Sequence, residues 1–181
     1  MKYCSACGAT VSLKIPENDE RLRHVCDACG TIHYQNPKII AGALPVFNDQ
    51  VLLCRRAIEP RHGLWTLPAG FMENGETTEQ AAAREAHEEA NARLQNLHLY
   101  TVISIPHVSQ VYMLYRCELA STDFSPGVES LETRLFHEHE IPWQELAFAS
   151  VHKTLECFFN DRKQGSFPVH NLAFLAKSPA E

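Results

Sequence analysis

Long hydrophobic runs are absent from this sequence of 181 residues, and none approaches the ~20 residues that a bilayer-spanning helix requires. Residues 1–4 contain no apolar stretch typical of a secretory signal, so we expect a cytoplasmic protein without a membrane partner. Internal repeats and low-complexity segments are also missing, which excludes a fibrous protein. With 45% hydrophobic and 21% charged residues, the composition is that of one globular domain with a small appendage.

Positive charge is scarce as well. The 16 lysines and arginines are outnumbered by 22 aspartates and glutamates, and the net charge at pH 7 is −6. A chain with this balance does not attract polyanions over its whole surface, so we do not expect a general nucleic-acid-binding protein. If the protein handles phosphates, we expect metal ions to supply the positive charge.

Seven cysteines are present, and four of them form two pairs with the spacing of a metal site. Each pair, Cys4/Cys7 and Cys26/Cys29, has two intervening residues and is followed by glycine, and 18 residues separate the pairs. Four thiolates complete a tetrahedral shell around Zn²⁺ and leave no position open for chemistry, which predicts a structural zinc ribbon over residues 1–36. Disulfides or a redox pair are the alternatives, but a cytoplasmic location and the doubled motif disfavour them.

A ribbon of this size is too small to fold without its metal. Its charges balance, because four basic residues are offset by four acidic ones, and four thiolates with Zn²⁺ would add about −2. Nucleic-acid binding by the ribbon is therefore not expected, and a structural or dimerisation role is favoured. The residues counted are Lys2, Lys14, Arg21, Arg23, Glu17, Asp19, Glu20 and Asp27.

Strand-like and helix-like segments alternate over residues 37–176, which predicts a single α/β domain. A capping box of Thr77 and Gln80 marks the start of one helix, and Asn91 is suited to the left-handed conformation that ends it. Glycine and acidic residues predict a loop over 69–76. The predicted strands cover residues 39–47, 51–56, 63–68, 97–105, 110–119 and 133–137, and the predicted helices cover 77–91 and 150–162.

The first predicted helix has three glutamates on one side. At ~100° per residue, Glu88 and Glu89 lie within about 60° of Glu85, whereas Ala83, Ala86 and Ala90 fall on a separate face. Like charges this close destabilise a helix unless something compensates them. Clustered carboxylates suit Mg²⁺ or Mn²⁺, so a metal site is one interpretation and a solvated acidic face is the other.

A longer pattern surrounds this helix: Gly70, then Glu76 after five residues, then Arg84-Glu85-Ala86-His87-Glu88-Glu89 after seven more. This pattern resembles the Nudix box, the signature of hydrolases that act on nucleoside diphosphates linked to another moiety. One position departs from the family pattern, because Asn91 stands where the family usually has glycine. Asparagine is the next-best residue for a left-handed helix end. The resemblance implies a Nudix α/β/α sandwich with a mixed sheet, preceded here by the four-cysteine ribbon.

The resemblance also implies roles for the residues of the box. Glu85, Glu88 and Glu89 would bind Mg²⁺ or Mn²⁺. Arg84 would hold a box glutamate in place, and Glu76 would support the loop. Cations held in this way neutralise a diphosphate, polarise the attacked phosphorus and lower the pKa of a bound water.

Residues outside this set are candidates for contact with the substrate. In this family a further carboxylate commonly supplies a base or another metal ligand, and Glu129 and Glu132 are the candidates. Arginines at strand ends could clamp phosphates and aromatic rings could stack on adenine or isoalloxazine, although solvated strand ends and core packing are the alternatives. The predicted substrate-binding residues are Arg55, Arg56, Trp65, Gly70 and Glu132, and the further candidates are Phe71, Tyr112 and Arg134.

Two ribbon-bearing groups of the family differ in substrate. NADH pyrophosphatases have a Pro-Trp-Pro tract after the box, which residues 103–112 lack. The stretches 34–38, 52–56, 62–70 and 126–132 resemble the plant chloroplast FAD pyrophosphohydrolase and its bacterial relatives. We therefore expect a homodimeric, Mg²⁺-dependent pyrophosphohydrolase that cleaves a small dinucleotide of the FAD or ADP-ribose type to AMP and a second phosphate ester. An NADH pyrophosphatase and a non-catalytic nucleotide-sensing module are the alternatives.

Overall fold

The computed structural model describes residues 1–176, which form two compact units, Met1–Asn36 and the chain from Pro37 onward. The first unit contains a three-stranded antiparallel sheet, in the order β1 (Val11–Lys14), β2 (Arg23–Cys26) and β3 (Ile32–His33). The sequence predicts the cysteine pairs of this unit but none of its strands. Most of their residues are half-buried or exposed, so hydrophobic alternation does not reveal them.

The second unit contains one large sheet and two α-helices. The helices are α1 (Thr78–Ala90) and α2 (Ala149–Gln164). The strands are β4 (Lys38–Phe47), β5 (Gln50–Arg56), β6 (Trp65–Thr66), β7 (Ala69–Phe71), β8 (Leu94–Ile105), β9 (Gln110–Leu119), β10 (Ser130–Phe136) and β11 (His170–Ala173). No helix within residues 1–176 is both long enough and apolar enough to cross a bilayer.

The large sheet is mixed. Its strands follow the order β10-β5-β4-β9-β8-β11, with β6 beside β5 and β7 beside β4. The central strand β4 runs parallel to β9, from Lys38 opposite Gln110 to Val46 opposite Glu118. The pair β8–β11 is also parallel, whereas the other pairs are antiparallel.

The helices cover opposite faces of this sheet. Side chains alternate between the two faces along a strand. Leu52 of β5 therefore packs with Ala90 of α1, while its neighbours Val51 and Leu53 pack in the main core with Leu155 of α2. This arrangement confirms the predicted α/β/α sandwich with a mixed sheet.

In the second unit, two strands differ from the sequence prediction by more than their ends. Residues 69–71, predicted as part of a loop, form β7 and pair with β4, with Ile40 opposite Phe71. The pairing depends on Gly42 of β4, because a Cβ atom there would lie only 2.7 Å from the carbonyl oxygen of Pro68. The second difference is β11, which no pattern in the sequence predicts, and which is short and at most half-buried.

Candidate functional site

The two cysteine pairs of the ribbon converge on one point. The sulfur atoms of Cys7 and Cys26 are 3.5 Å apart and those of Cys4 and Cys29 are 3.8 Å apart. All four sulfurs lie within 4.8 Å of one another. Tetrahedral Zn²⁺ with Zn–S bonds of ~2.3 Å requires sulfur separations of ~3.8 Å, so the cluster fits zinc.

Each cysteine pair is followed by a glycine in the left-handed conformation. Gly8 and Gly30 have φ values of +75° and +73°, which strain any residue with an L side chain. Their N–H groups donate to the carbonyl oxygens of Cys4 (2.9 Å) and Cys26 (3.1 Å). Each turn therefore closes under its sulfur atoms, as the spacing predicts.

Helix α1 begins and ends at the residues that the sequence predicts. The Thr77 hydroxyl accepts a hydrogen bond from the Gln80 N–H (3.2 Å), and the Gln80 side chain accepts one from the Thr77 N–H (2.8 Å). Asn91 ends the helix with φ +48° and ψ +23°. These two ends set the register of the helix against the sheet, and with it the direction of its glutamates.

Two of the three candidate metal-binding glutamates on α1 are buried. Glu85 and Glu89 are only 8% and 7% exposed, whereas Glu88 is exposed. The helical wheel placed alanines and glutamates on separate faces, but both carboxylates share the buried side and Ala83 is only half-buried. Gly70 of β7 makes room for this, because a Cβ atom there would collide with the Glu85 carboxylate. The alanines on the buried side are Ala81, Ala82, Ala86 and Ala90.

Arg84 connects the acidic residues of the box. Its guanidinium donates two hydrogen bonds to Glu76, at 2.8 and 3.1 Å. It also donates to Glu85 (2.6 Å), to Glu88 (3.0 Å) and to the carbonyl oxygen of Phe71 (3.1 Å). Paired, charge-assisted contacts of this kind fix geometry as well as charge. Arg84 thus orients two helix glutamates and joins the preceding loop to the helix.

Glu89 has no comparable partner. No lysine or arginine within residues 1–176 forms an ion pair with it. Burial raises the pKa of Glu89 to about 8, the charges of Glu85 and Glu129 add to the rise, and Arg56 and the Ala69 N–H oppose it. Burial also raises the pKa of Glu85. Glu85 is buried beside the Arg84 guanidinium, whereas Glu89 is buried without an ion-pair partner among the described residues, and carboxylate oxygens of this kind suit Mg²⁺ or Mn²⁺.

The carboxylates are spaced more widely than the cysteines. Among the residues described, only the cysteine cluster brings three or more ligand atoms within 4.8 Å of one another. A cation in the acidic cleft would therefore take further oxygen ligands from water and from substrate phosphates, as Mg²⁺ commonly does.

The acidic residues line a cleft of about 460 Å³, and a second cavity of about 260 Å³ adjoins it. Arg56, Gly70 and Phe71 contribute to both. Pockets for drug-sized ligands hold roughly 300–1,000 Å³, so the second cavity has the size of one ring system. We name it the ring cavity; its further lining includes Ile40, Gln110, Tyr112, Phe148, Ser150 and Val151.

Sequence patterns did not reveal Phe148 and Ser150 as site residues. They reach the ring cavity from the start of α2, far along the chain from the box. The Ser150 hydroxyl is buried without a hydrogen-bond partner among residues 1–176. A buried polar group without a partner needs an explanation, and the place of Ser150 on the cavity wall makes it a candidate for contact with a ligand.

The remaining predicted substrate-binding residues lie outside both cavities. Arg55 donates to the carbonyl oxygen of Gly63 (2.9 Å), and its guanidinium lies 3.9 Å from the Glu132 carboxylate. Trp65 is 6% exposed and packs edge-on against Phe136 in the main core. Of the two candidate carboxylates outside the box, Glu129 lines the acidic cleft and Glu132 does not.

Comparison with known proteins identifies the family. The Nudix N-terminal zinc-ribbon model matches residues 2–35, and the NUDIX domain model matches residues 36–157. The chain therefore belongs to the Nudix hydrolase family, which confirms the prediction made from the box and the cysteine pairs.

Among its relatives are two proteins named NAD-capped RNA hydrolase NudC. That of Photobacterium profundum is 31% identical over 138 residues, which cover 74% of this chain and 48% of the relative. That of Vibrio atlanticus is 33% identical over 135 residues, covering 72% and 47%. The chain spans about half the length of the curated relatives it matches.

Solved structures agree on the architecture. A NUDIX hydrolase from Nitrosomonas europaea is 54% identical with a TM-score of 0.93, over 96% of this chain and 99% of the other. The bifunctional NMN adenylyltransferase/ADP ribose pyrophosphatase of Francisella tularensis, solved with AMP and manganese, is 20% identical with a TM-score of 0.60, over 71% and 42%. The second likeness shows the fold alone.

Proposed function

We propose that the protein is a Mg²⁺- or Mn²⁺-dependent pyrophosphohydrolase that cleaves the diphosphate of a dinucleotide into two phosphate esters. The observation that supports this most strongly is the pair of buried carboxylates, Glu85 and Glu89, in a cleft that adjoins a cavity of ring size. Arg84 already compensates the charge of Glu85, but burying Glu89 without an ion-pair partner is costly, so a purely structural role does not explain the pair.

The residues of the cleft have distinct roles in this proposal. Glu85, Glu88 and Glu89 would hold the cations, and Arg84 keeps Glu85 and Glu88 in position. A metal ion bound there would neutralise the charge of the diphosphate and lower the pKa of a water molecule. Glu129 is the candidate base that takes the proton of the attacking water, since it lines the cleft without an ion-pair partner among the described residues.

The ring cavity is the proposed determinant of the substrate. Gln110 and Tyr112 line it, and both belong to the segment 103–112 that lacks the tract of NADH pyrophosphatases. Because this difference from NADH pyrophosphatases lies in the wall of the ring cavity, FAD or ADP-ribose remains our first candidate substrate. Ser150 offers a hydroxyl to the polar edge of a bound ring, and Tyr112 or Phe148 an aromatic face.

An NADH-type substrate is the second candidate, and the names of the curated relatives favour it. Those names also introduce NAD-capped RNA as a substrate. The balanced charge of the ribbon and the overall charge of −6 favour a free dinucleotide instead. Zinc in the ribbon, a homodimer and a cytoplasmic location complete the proposal.

A substrate panel tests it. FAD, NADH, ADP-ribose and an NAD-capped RNA are incubated with the protein in Mg²⁺-free buffer and again after Mg²⁺ or Mn²⁺ is added. We expect cation-dependent hydrolysis, with FMN and AMP released from FAD at the highest kcat/KM. Faster turnover of NADH than of FAD would favour the NADH-type substrate instead. If no substrate is hydrolysed with or without added cation, the proposal is contradicted. Tight binding of a dinucleotide without any product would point to a nucleotide-sensing module.

A further inference from the structure

Asn91, at the end of α1, makes contacts beyond those needed to end a helix. Its backbone N–H donates to the carbonyl oxygens of Ala86 and His87, and this part of its role needs no side chain. Its side-chain Nδ2 lies 3.1 Å from the carbonyl oxygen of Ser125, 3.1 Å from the Ser125 hydroxyl and 3.3 Å from the carbonyl oxygen of Pro126. An amide nitrogen has two protons, so these three acceptors saturate it.

The segment that receives these contacts rests directly on the last turn of α1. The Ser125 N–H donates to the carbonyl oxygen of Ala90 (3.0 Å), and the Gly127 N–H donates to that of Glu89 (2.9 Å). Carbonyl groups at the end of a helix otherwise lack a partner. A Cβ atom on Gly127 would collide with the carbonyl oxygen of Glu88, so only glycine permits this approach.

Glu129 follows two residues later and faces the same cleft as the helix glutamates. Its carbonyl oxygen accepts a hydrogen bond from the Ala57 N–H (2.8 Å), just after β5. The segment 125–129 is thus fastened at one end to α1 and at the other to the sheet. Its position against α1 fixes where the Glu129 carboxylate lies relative to Glu85 and Glu89.

We propose that Asn91 is a positioning residue, whose side-chain amide holds the segment 125–127 on the end of α1 and thereby places the Glu129 carboxylate in the cleft. The catalytic readouts rest on the proposed function. Glycine adopts the same left-handed conformation without strain, so Asn91→Gly keeps the helix end and removes only the amide contacts. Asn96 provides a matched control, since it too has positive φ (+55°), and its side-chain amide donates a hydrogen bond to the Glu118 carboxylate (3.0 Å), but it lies outside both cavities.

Steady-state kinetics of Asn91→Gly, Glu129→Gln and the double variant test the link. We expect Asn91→Gly to lower kcat about 10-fold with little change in KM, and Asn96→Gly to leave both unchanged. Glu129→Gln should cost about 100-fold in the wild-type background but only about 10-fold when Asn91 is already glycine, because a displaced carboxylate contributes less. The proposal would be overturned if Asn91→Gly kept the wild-type kcat, or if the loss of kcat in the double variant equalled the product of the two single losses.

A second measurement does not require activity. Backbone hydrogen exchange in residues 125–129 should be about 10-fold faster in Asn91→Gly than in the wild type, with no change in Asn96→Gly. Unchanged exchange would refute the positioning role even if the wild type hydrolyses no dinucleotide. Faster exchange in an inactive protein would support the positioning role while contradicting the proposed function.

Discussion

The two helices of the Nudix domain cover one sheet with different side chains. Helix α2 presents Leu155 and Phe158 to the main core, whereas α1 presents alanines and two glutamates. Burying a leucine or phenylalanine side chain stabilises a protein by roughly 1.5–3 kcal/mol, and alanine offers far less apolar area. The buried face of α2 therefore contributes more to the stability of the domain, whereas the buried face of α1 carries residues of the candidate site.

Small residues on α1 also have a positive use. Ala81 and Ala82 pack against Ala41 of β4, and Ala86 packs against Ala43. Small side chains on both surfaces allow the helix to approach the sheet closely. The Glu85 carboxylate can then lie against the bare backbone of Gly70.

The strongest test of this contrast is Glu89→Gln on α1. We expect kcat to fall by about 10³-fold or more, equivalent to ~4 kcal/mol of barrier, because a neutral amide is a poor ligand and cannot accept a proton. Folding should not suffer, since the change removes an uncompensated buried charge. Kinetics and circular dichroism measure the two effects. The control is Glu79→Gln on the exposed first turn, and substantial activity in Glu89→Gln would disprove the assignment.

The opposite result is expected for Phe158→Ala on α2. This side chain is 2% exposed, packs edge-on against Phe159 and stacks on Phe167, so its loss leaves a cavity. The free energy of unfolding should fall by about 3–5 kcal/mol, with kcat of the folded fraction nearly unchanged. Urea denaturation measures this, with exposed Asn160→Ala as the control. If Phe158→Ala and Asn160→Ala were equally stable, the conclusion that the buried face of α2 stabilises the domain would be wrong.

The smallest effect concerns pH. Because the pKa of Glu89 is raised to about 8 in the folded protein from its ordinary value of 4.5, the folded state binds this proton more tightly than the unfolded state. Its contribution to stability is therefore complete below pH ~4.5 and is lost as the pH rises through about 8.

In Mg²⁺-free buffer the Tm of Glu89→Gln should accordingly exceed that of the wild type by an amount that grows with pH over this window. A difference of 1–2 kcal/mol corresponds to ~2–8 °C for a chain of this size. Saturating Mg²⁺ should narrow the gap by stabilising the wild type. A gap that does not change with pH would show that Glu89 is not a buried, unpaired acid.

Local signals accounted for most of the fold. The Thr77 cap, the end at Asn91 and the continuous apolar run of β4 depend on neighbours in the chain, so these elements were predictable with small errors at their ends. Strand β7 was not, because its pairing depends on the missing side chain of Gly42, a contact between distant residues.

The residues of the candidate site also fall into two groups, those that a local motif predicts and those that only the fold brings together. The carboxylates of α1 and their arginine belong to one motif, and the sequence indicates them together. Ser150 and Phe148 enter the ring cavity from α2, and only the folded sheet brings them near the box. Trp65 has an aromatic side chain of the type that stacks on substrate rings, but its position on the core side of β6 depends on tertiary packing.

The parallel pairing of β4 with β9 has a consequence for biosynthesis. The whole Nudix box, residues 70–91, is translated before β9 at residues 110–119 exists. Until then α1 lacks Tyr115 and Cys117, two of the side chains on which its alanines pack. Non-local pairing must wait for its partner strand. A nascent chain arrested before β9 would thus contain every box glutamate, with β4 and β7 but not β9 in the surface on which α1 can pack. The site can take its final form only after β9 has been made.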